Sequence, residues 1–157
     1  QDDFILSKTV LQDILDAFEG EDAMWLLKGS GVTRNGQTIE RPMVPRLTPK
    51  LHFGKNTVSS PSVLAFRASS EHFFDENLIW LMDVEFYARL WKEYGDPIIL
   101  PDTLIANRLH ADQVSQKVNR SIQKSELDYV LRKSVTFTQI SGYLEYAKRR
   151  AKTFFPR

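Results

Sequence analysis

The side chains best placed to do chemistry are a handful of carboxylates, one imidazole and one guanidinium. Asp83 heads the apolar stretch Leu81–Leu90, Asp2 and Asp3 are adjacent near the start of the sequence, and Arg108 and His110 close an extended segment. A carboxylate at the first turn of a helix has two uses. It can accept a backbone N–H and favour the positive end of the helix dipole, or it can be held at a cleft wall as a general base facing an acceptor hydroxyl. Taken by itself, the helix favours the cap. Two adjacent acids, Asp2 and Asp3, form either a solvated turn or a ligand pair for a hard divalent cation, Mg²⁺ or Mn²⁺, which bridges carboxylates and phosphate oxygens. Arg108 and His110 have the chemistry to serve the same metal or a diphosphate from the opposite wall. Glu85 and Arg89, spaced i, i+4 with the acid first, read as a surface ion pair and carry no catalytic role.

The elements that must position these groups follow from periodicity. Val84, Ala88 and Trp91 on one flank and Tyr87, Leu90 and Tyr94 on the next predict a largely buried helix over 81–94, ended by Gly95 and Pro97. Its polar stripe is expected on Glu85, Arg89, Lys92 and Asp96. Val10, Leu11, Ile14, Leu15 and Phe18 predict an earlier amphipathic helix, capped by Ser7 and closed by Gly20. Met24–Leu27 reads as a short buried strand, and Asn35-Gly36 between two β-prone arms as a hairpin turn. Pro42, Pro45 and Pro49 interrupt regular structure in a connection made basic by Arg41, Arg46, Lys50, His52 and Lys55, which is either solvated or a phosphate clamp. Ser59–Arg67 reads as a strand entered through a turn. Two short extended pieces, 97–101 and 102–110, come after the central helix. From about Asn119 to Phe155 the helical period returns, with a break or kink expected near Gly142 and a cationic end, Lys148–Arg157.

Composition bounds the rest. At 157 residues and 18.2 kDa the chain can bury a sizeable core, and its formal net charge of +1 disfavours a nucleic-acid binder. The absence of cysteine excludes disulfides and thiolate metal sites and fits a reducing, cytoplasmic compartment. No apolar run approaches a membrane span. His52, His72 and His110 show no paired metal-ligand spacing, which argues against a metal-dependent hydrolase. Because the sequence opens on Gln1 and not Met, a fragment, a processed chain or a trimmed form is expected.

The serial order of these features (acid pair, turn-entered strand, acid-headed helix, Arg-x-His) resembles the second half of an inverting family 2 glycosyltransferase of the GT-A nucleotide-sugar fold. The residues that carry it are Gln1-Asp2-Asp3, Pro61-Ser62, Phe66-Arg67, Phe74-Asp75-Glu76-Asn77-Leu78, Asp83-Val84-Glu85-Phe86, Arg89-Leu90, Gly95, Arg108-Leu109-His110 and Gln113-Val114-Ser115. The resemblance implies an α/β fold: part of a GT-A-like mixed sheet flanked by helices, the N-terminal nucleotide-binding β-α-β half lying before Gln1. Residues 1–116 would form the metal- and acceptor-side half, and 117–157 a helical C-terminal extension that the resemblance does not cover. It also implies Asp83 as catalytic base, Asp2, Asp3 and His110 as ligands of Mg²⁺ or Mn²⁺, and Arg108 and His110 at the donor diphosphate. The partners implied are a nucleotide-diphospho-sugar donor and a saccharide or lipid-linked acceptor. Without the nucleotide-binding half, these residues alone are expected to be inactive, with the exposed sheet face covered by homodimerisation. The reading that competes with catalysis is a non-catalytic interaction module or degenerate remnant docking through its C-terminal helices to a partner, or through the basic end to an anionic membrane surface.

Overall fold

The computed structural model describes residues 3–68, 72–110, 117–133 and 140–154, and these form a mixed α/β structure with an open mixed sheet of five strands and four α-helices. They divide into two compact units that interleave along the chain: 1–47, 58–71 and 90–110 in the first, and 48–57, 72–89 and 111–157 in the second. Among the described residues no helix is long and apolar enough to cross a membrane.

The first unit holds the whole sheet. Its centre is β2 (Trp25–Thr33), which runs parallel to β5 (Ile98–Arg108) along one edge. The other edge of β2 pairs antiparallel with β4 (Leu64–Phe66) at Trp25–Leu27 and with β3 (Arg41–Met43) at Ser30–Val32. A two-residue strand, β1 (Phe4–Ile5), adds antiparallel to β5 through Phe4↔Ala106 and Ile5↔Ile105. The expected short strand at Met24–Leu27 is thus nine residues long and continues through Gly29-Ser30-Gly31. The two extended pieces around Pro101 are one strand. Pro101 has no N–H to donate, so the ladder slips between Lys28↔Leu100 and Gly29↔Thr103, and Pro101-Asp102 bulge out. That bulge is why Gly29 sits inside a buried strand: a Cβ there would lie 2.3 Å from the Asp102 carbonyl oxygen and 2.5 Å from that of Pro101.

Helix α1 (Val10–Phe18) forms where the periodicity placed it, and Gly20 follows in the left-handed region at φ +78°. Ser7 accepts the Thr9 N–H instead of capping the first turn. Val10 is fully buried, whereas Leu11 and Leu15, expected on the packed face, are 64 % and 59 % exposed. Arg67 ties the end of this helix down, with its guanidinium on the carbonyls of Phe18, Glu21 and Ala23 and over the Phe18 ring. The hairpin forms around Asn35-Gly36 with a longer loop than two residues, Asn35 Oδ1 accepting the N–H groups of Gln37 and Thr38. Trp25 and Leu27 are fully buried, and the Trp25 indole N–H bonds the Gly95 carbonyl at 2.9 Å.

The second unit is helical. Helix α2 (Met82–Tyr94) supplies it with Val84, Phe86 and Tyr87, all buried; α3 (Arg120–Lys133) adds Leu127 and Val130; α4 (Ile140–Lys152) follows. Gly142 lies within α4, which does not break at it; residues 134–139 lie outside the described set. The proline-punctuated basic connection folds at Pro49–Phe53 into a 3₁₀ turn that buries Leu51, His52 and Phe53, the Phe53 ring meeting Tyr143 edge-on at 5.3 Å. Gly54 ends that turn at φ +77°, where a Cβ would press to 2.6 Å from Leu127.

Glu85 corrects the sequence reading. It is 5 % exposed, not on a solvent stripe, and its expected pairing with Arg89 at 3.2 Å is one contact of a larger network. Lys133 reaches Glu85 at 2.7 Å and Asp75 at 2.6 Å, and the Tyr129 hydroxyl donates to Asp75 at 2.9 Å. Burial alone would raise the Asp75 pKa; hydrogen bonds from Lys133, Asn77 and Tyr129 outweigh it and hold the carboxyl well below the usual range.

Candidate functional site

The sequence-selected residues fall into two local constellations, one in each unit. In the second unit, Asp83 is the second residue of α2 and is half-buried. Its Oδ1 accepts the Val84 backbone N–H at 2.8 Å, and its Oδ2 accepts the Asn56 side-chain amide, also at 2.8 Å. Asn56 is delivered by the segment that leaves the Pro49–Phe53 turn through Gly54. Burial pushes the Asp83 pKa up from 3.8 to about 6, against the opposing pull of the hydrogen bonds from Val84, its own N–H and Asn56. A carboxyl poised there is ionised at neutral pH yet more basic than an ordinary aspartate.

The approach to this helix is capped from elsewhere. Glu126 of α3, 5 % exposed, accepts three successive backbone N–H groups, from Ile79 at 2.9 Å, Trp80 at 3.0 Å and Leu81 at 2.8 Å. Capping is thereby shared. Glu126 satisfies the donors that precede α2, while Asp83 spends Oδ1 on the first turn and turns Oδ2 to the Asn56 amide. Sequence reasoning missed both partners. Asn56 directly follows a basic connection read as either solvated or a phosphate clamp, and Glu126 lies in a helix read as an unexplained extension. The Glu126–Leu81 separation of 45 residues leaves no local trace.

In the first unit, Asp3 lies one step before the Phe4↔Ala106 pair, beside Asn107 at the end of β5. The hydroxyls of Ser60 and Ser62 both donate to Asp3 Oδ2 at 2.8 Å. Ser60 Oγ is also 3.2 Å from Asn107 Oδ1, Asn107 Nδ2 donates to Ser59 Oγ at 2.8 Å, and Ser59 and Ser30 share a buried hydroxyl contact at 2.8 Å. Ser59 holds φ +152°, a backbone conformation rare outside glycine, and is kept there by buried hydrogen bonds. The serine-rich turn Ser59-Ser60-Pro61-Ser62 is the sequence signal that would have pointed to a supported carboxylate. Arg108 places its guanidinium 5.4 Å above the Phe4 ring, against the Gly36 turn. His110 follows, two residues past the strand, after the Leu109 N–H bonds the Thr33 carbonyl.

Asp3, Arg108 and His110 therefore belong to the sheet unit and Asp83 to the helical one. Asp2 and the Gln113-Val114-Ser115 segment lie outside the described residues. Among the described residues no group of three or more acidic, His or Cys side chains is arranged to hold a metal. What the donor set offers a hard cation is one oriented carboxylate. Asp3 Oδ2 is fixed by two hydroxyls, which leaves Oδ1 as an oxygen ligand of the right hardness with an outer shell already in place. No family model matches the chain, and neither do the curated proteins or the solved structures compared with it.

Proposed function

We propose that the chain is the metal- and acceptor-side part of an inverting, family 2-type glycosyltransferase of GT-A character, with Asp83 as its base. What carries this reading is the state of the Asp83 carboxyl. It is anchored through Oδ1 to its own helix, steered through Oδ2 by Asn56 and made more basic by burial, while Glu126 takes the donors ahead of the helix. Basicity raised by burial and an oxygen steered by a side-chain amide are properties of a group that takes a proton, and a surface cap needs neither.

In the reaction, an acceptor hydroxyl oxygen attacks the anomeric carbon of a nucleotide-diphospho-sugar. The bond to the diphosphate oxygen breaks, the nucleoside diphosphate leaves with the electron pair, and the configuration inverts. Asp83 Oδ2 receives the hydroxyl proton as that oxygen becomes acidic in the transition state. Asn56 keeps the carboxylate pointed. Asp3, with Asp2 beside it in sequence, is the residue that would hold Mg²⁺ or Mn²⁺, and Arg108 and His110 would contact the diphosphate. A bound divalent cation supplies charge neutralisation for the departing diphosphate.

The test is calorimetric titration of the full-length gene product with Mn²⁺ and a panel of nucleotide sugars, followed by assay of nucleoside diphosphate release. Metal-dependent binding of at least one nucleotide sugar, with its turnover in the presence of an acceptor, is expected. Absence of binding across the panel overturns the reading.

A further inference from the structure

A buried cation in the sheet unit takes no part in the chemistry proposed above. Lys28, in the middle of β2, is only 5 % exposed, and no hydrogen bond or ion pair engages its ammonium among the described residues. Its ammonium keeps a narrow contact with solvent, and the partial loss of water without a counter-charge is a cost to the fold. Burial lowers its pKa accordingly. The side chain lines a cleft of about 370 Å³ beneath α1. Val10, Leu11 and Ile14 of that helix form one wall, and Phe4 and Ile105 of the paired strands β1 and β5 form another. Two polar residues share the cleft with the lysine, and neither neutralises it. Ser62 gives its proton to Asp3, and Asp3 Oδ2 is taken up by Ser60 and Ser62.

A largely buried cation with no hydrogen-bond or ion-pair partner among the described residues, set in a cleft whose other walls are mainly apolar, is complementary to a ligand with an anionic head and an apolar body. The head would occupy the unused donors of the ammonium, and the body would displace water from the aliphatic walls. We propose that this cleft binds a small amphipathic anion, its head on Lys28 Nζ and its aliphatic chain between α1 and the β1–β5 pair. The Asp3 carboxylate on the same cleft disfavours a second negative charge, so a monoanionic carboxylate head suits the site better than a phosphate monoester. The cleft shares Asp3 and Ser62 with the candidate metal-side residues, but Lys28, the proposed head-group contact, has no role in sugar transfer, so the Lys28→Met comparison tests this site separately.

Octanoate and n-octyl phosphate are titrated separately into wild-type protein and Lys28→Met, with neutral octanol as control, and binding is followed by calorimetry. Methionine keeps an unbranched side chain of similar length without the charge. Saturable octanoate binding to the wild type, at least tenfold weaker in Lys28→Met, is expected, while octanol does not distinguish the two proteins. The ligand-free variant is also expected to melt at a higher temperature than the wild type. Tighter binding of octyl phosphate would keep the anion site and assign it a phosphate head. Equal octanoate affinity in the two proteins, or none in the wild type, overturns the proposal, as does a lower melting temperature for the variant. Should Lys28→Met fail to fold, Lys28→Leu takes its place in the same titrations, and octanoate bound as tightly as by the wild type overturns the proposal.

Discussion

At neutral pH the Asp83 carboxylate works against the fold, so removing its charge is expected to stabilise the protein. Burial moves its pKa from 3.8 to about 6, about two pKa units, which at about 1.36 kcal/mol each correspond to roughly 3 kcal/mol. The sign follows from linkage. The folded state holds this proton more tightly than the unfolded chain, so the stability it contributes is fully present below pH 3.8 and lost as pH rises through about 6. Asp83→Asn keeps an oxygen for the Val84 N–H, and Asn56 can turn its own amide oxygen towards the new NH₂ group. With some allowance for partial exposure, the variant is expected to be about 2 kcal/mol more stable than the wild type near pH 7.5, and nearly equal to it near pH 4. Urea unfolding at a series of pH values, followed by the fluorescence of Trp25, Trp80 and Trp91, measures that difference. A variant less stable than the wild type at pH 7.5, or a stability gap that does not change with pH, would refute the claim that burial makes this carboxyl basic. A group kept at such a cost to stability is the pattern expected of a functional residue.

Other outcomes follow from the same geometry. Glu126→Ala strips three backbone N–H groups of their acceptor and is expected to cost about 2–4 kcal/mol in urea unfolding, with Glu126→Gln recovering part of the loss. Gly29→Ala forces a Cβ to within 2.5 Å of two carbonyl oxygens; a loss of more than about 2 kcal/mol is expected, and a neutral result would show that the Pro101–Asp102 bulge yields. Asp75, whose pKa is held low by Lys133, Asn77 and Tyr129, contributes stability that is present above the ordinary carboxylate range and lost as pH falls through its folded-state value. Asp75→Asn is therefore expected to flatten the acid limb of the unfolding profile, which circular dichroism against pH will read.

The sequence made the local periodicities legible. Helices α1 and α2 lie within a residue or two of where their apolar spacing placed them, because the glycines that follow each stop signal can take positive φ. Partners far along the chain were not legible. The strand read as Met24–Leu27 runs on through Gly29-Ser30-Gly31, where the β5 bulge occupies the space beside Gly29 and Ser59 pairs with the Ser30 hydroxyl. Glu85 looks like half of a surface pair, but Lys133, 48 residues away, draws it inside. The same holds for the candidate site. Asp83 and Asp3 were identifiable by type and position, whereas Asn56, Glu126, Ser60 and Ser62 act only through contacts made by folding. Leu11 and Leu15 continue the helical pattern of Val10 and Ile14, but α1 buries one narrow side and leaves them at the surface.

The most direct test of Asp83 as base is steady-state sugar transfer by the full-length gene product, wild type and Asp83→Asn, with nucleotide binding measured in parallel. The wild-type rate is expected to climb with pH through about 6 and then level, as the buried carboxyl ionises. The variant is expected to lose roughly 10²–10⁴-fold in kcat while metal-dependent nucleotide affinity stays nearly unchanged. Equal loss of transfer and binding, or transfer that survives the substitution, would contradict the assignment and leave Asp83 as a helix-end acid.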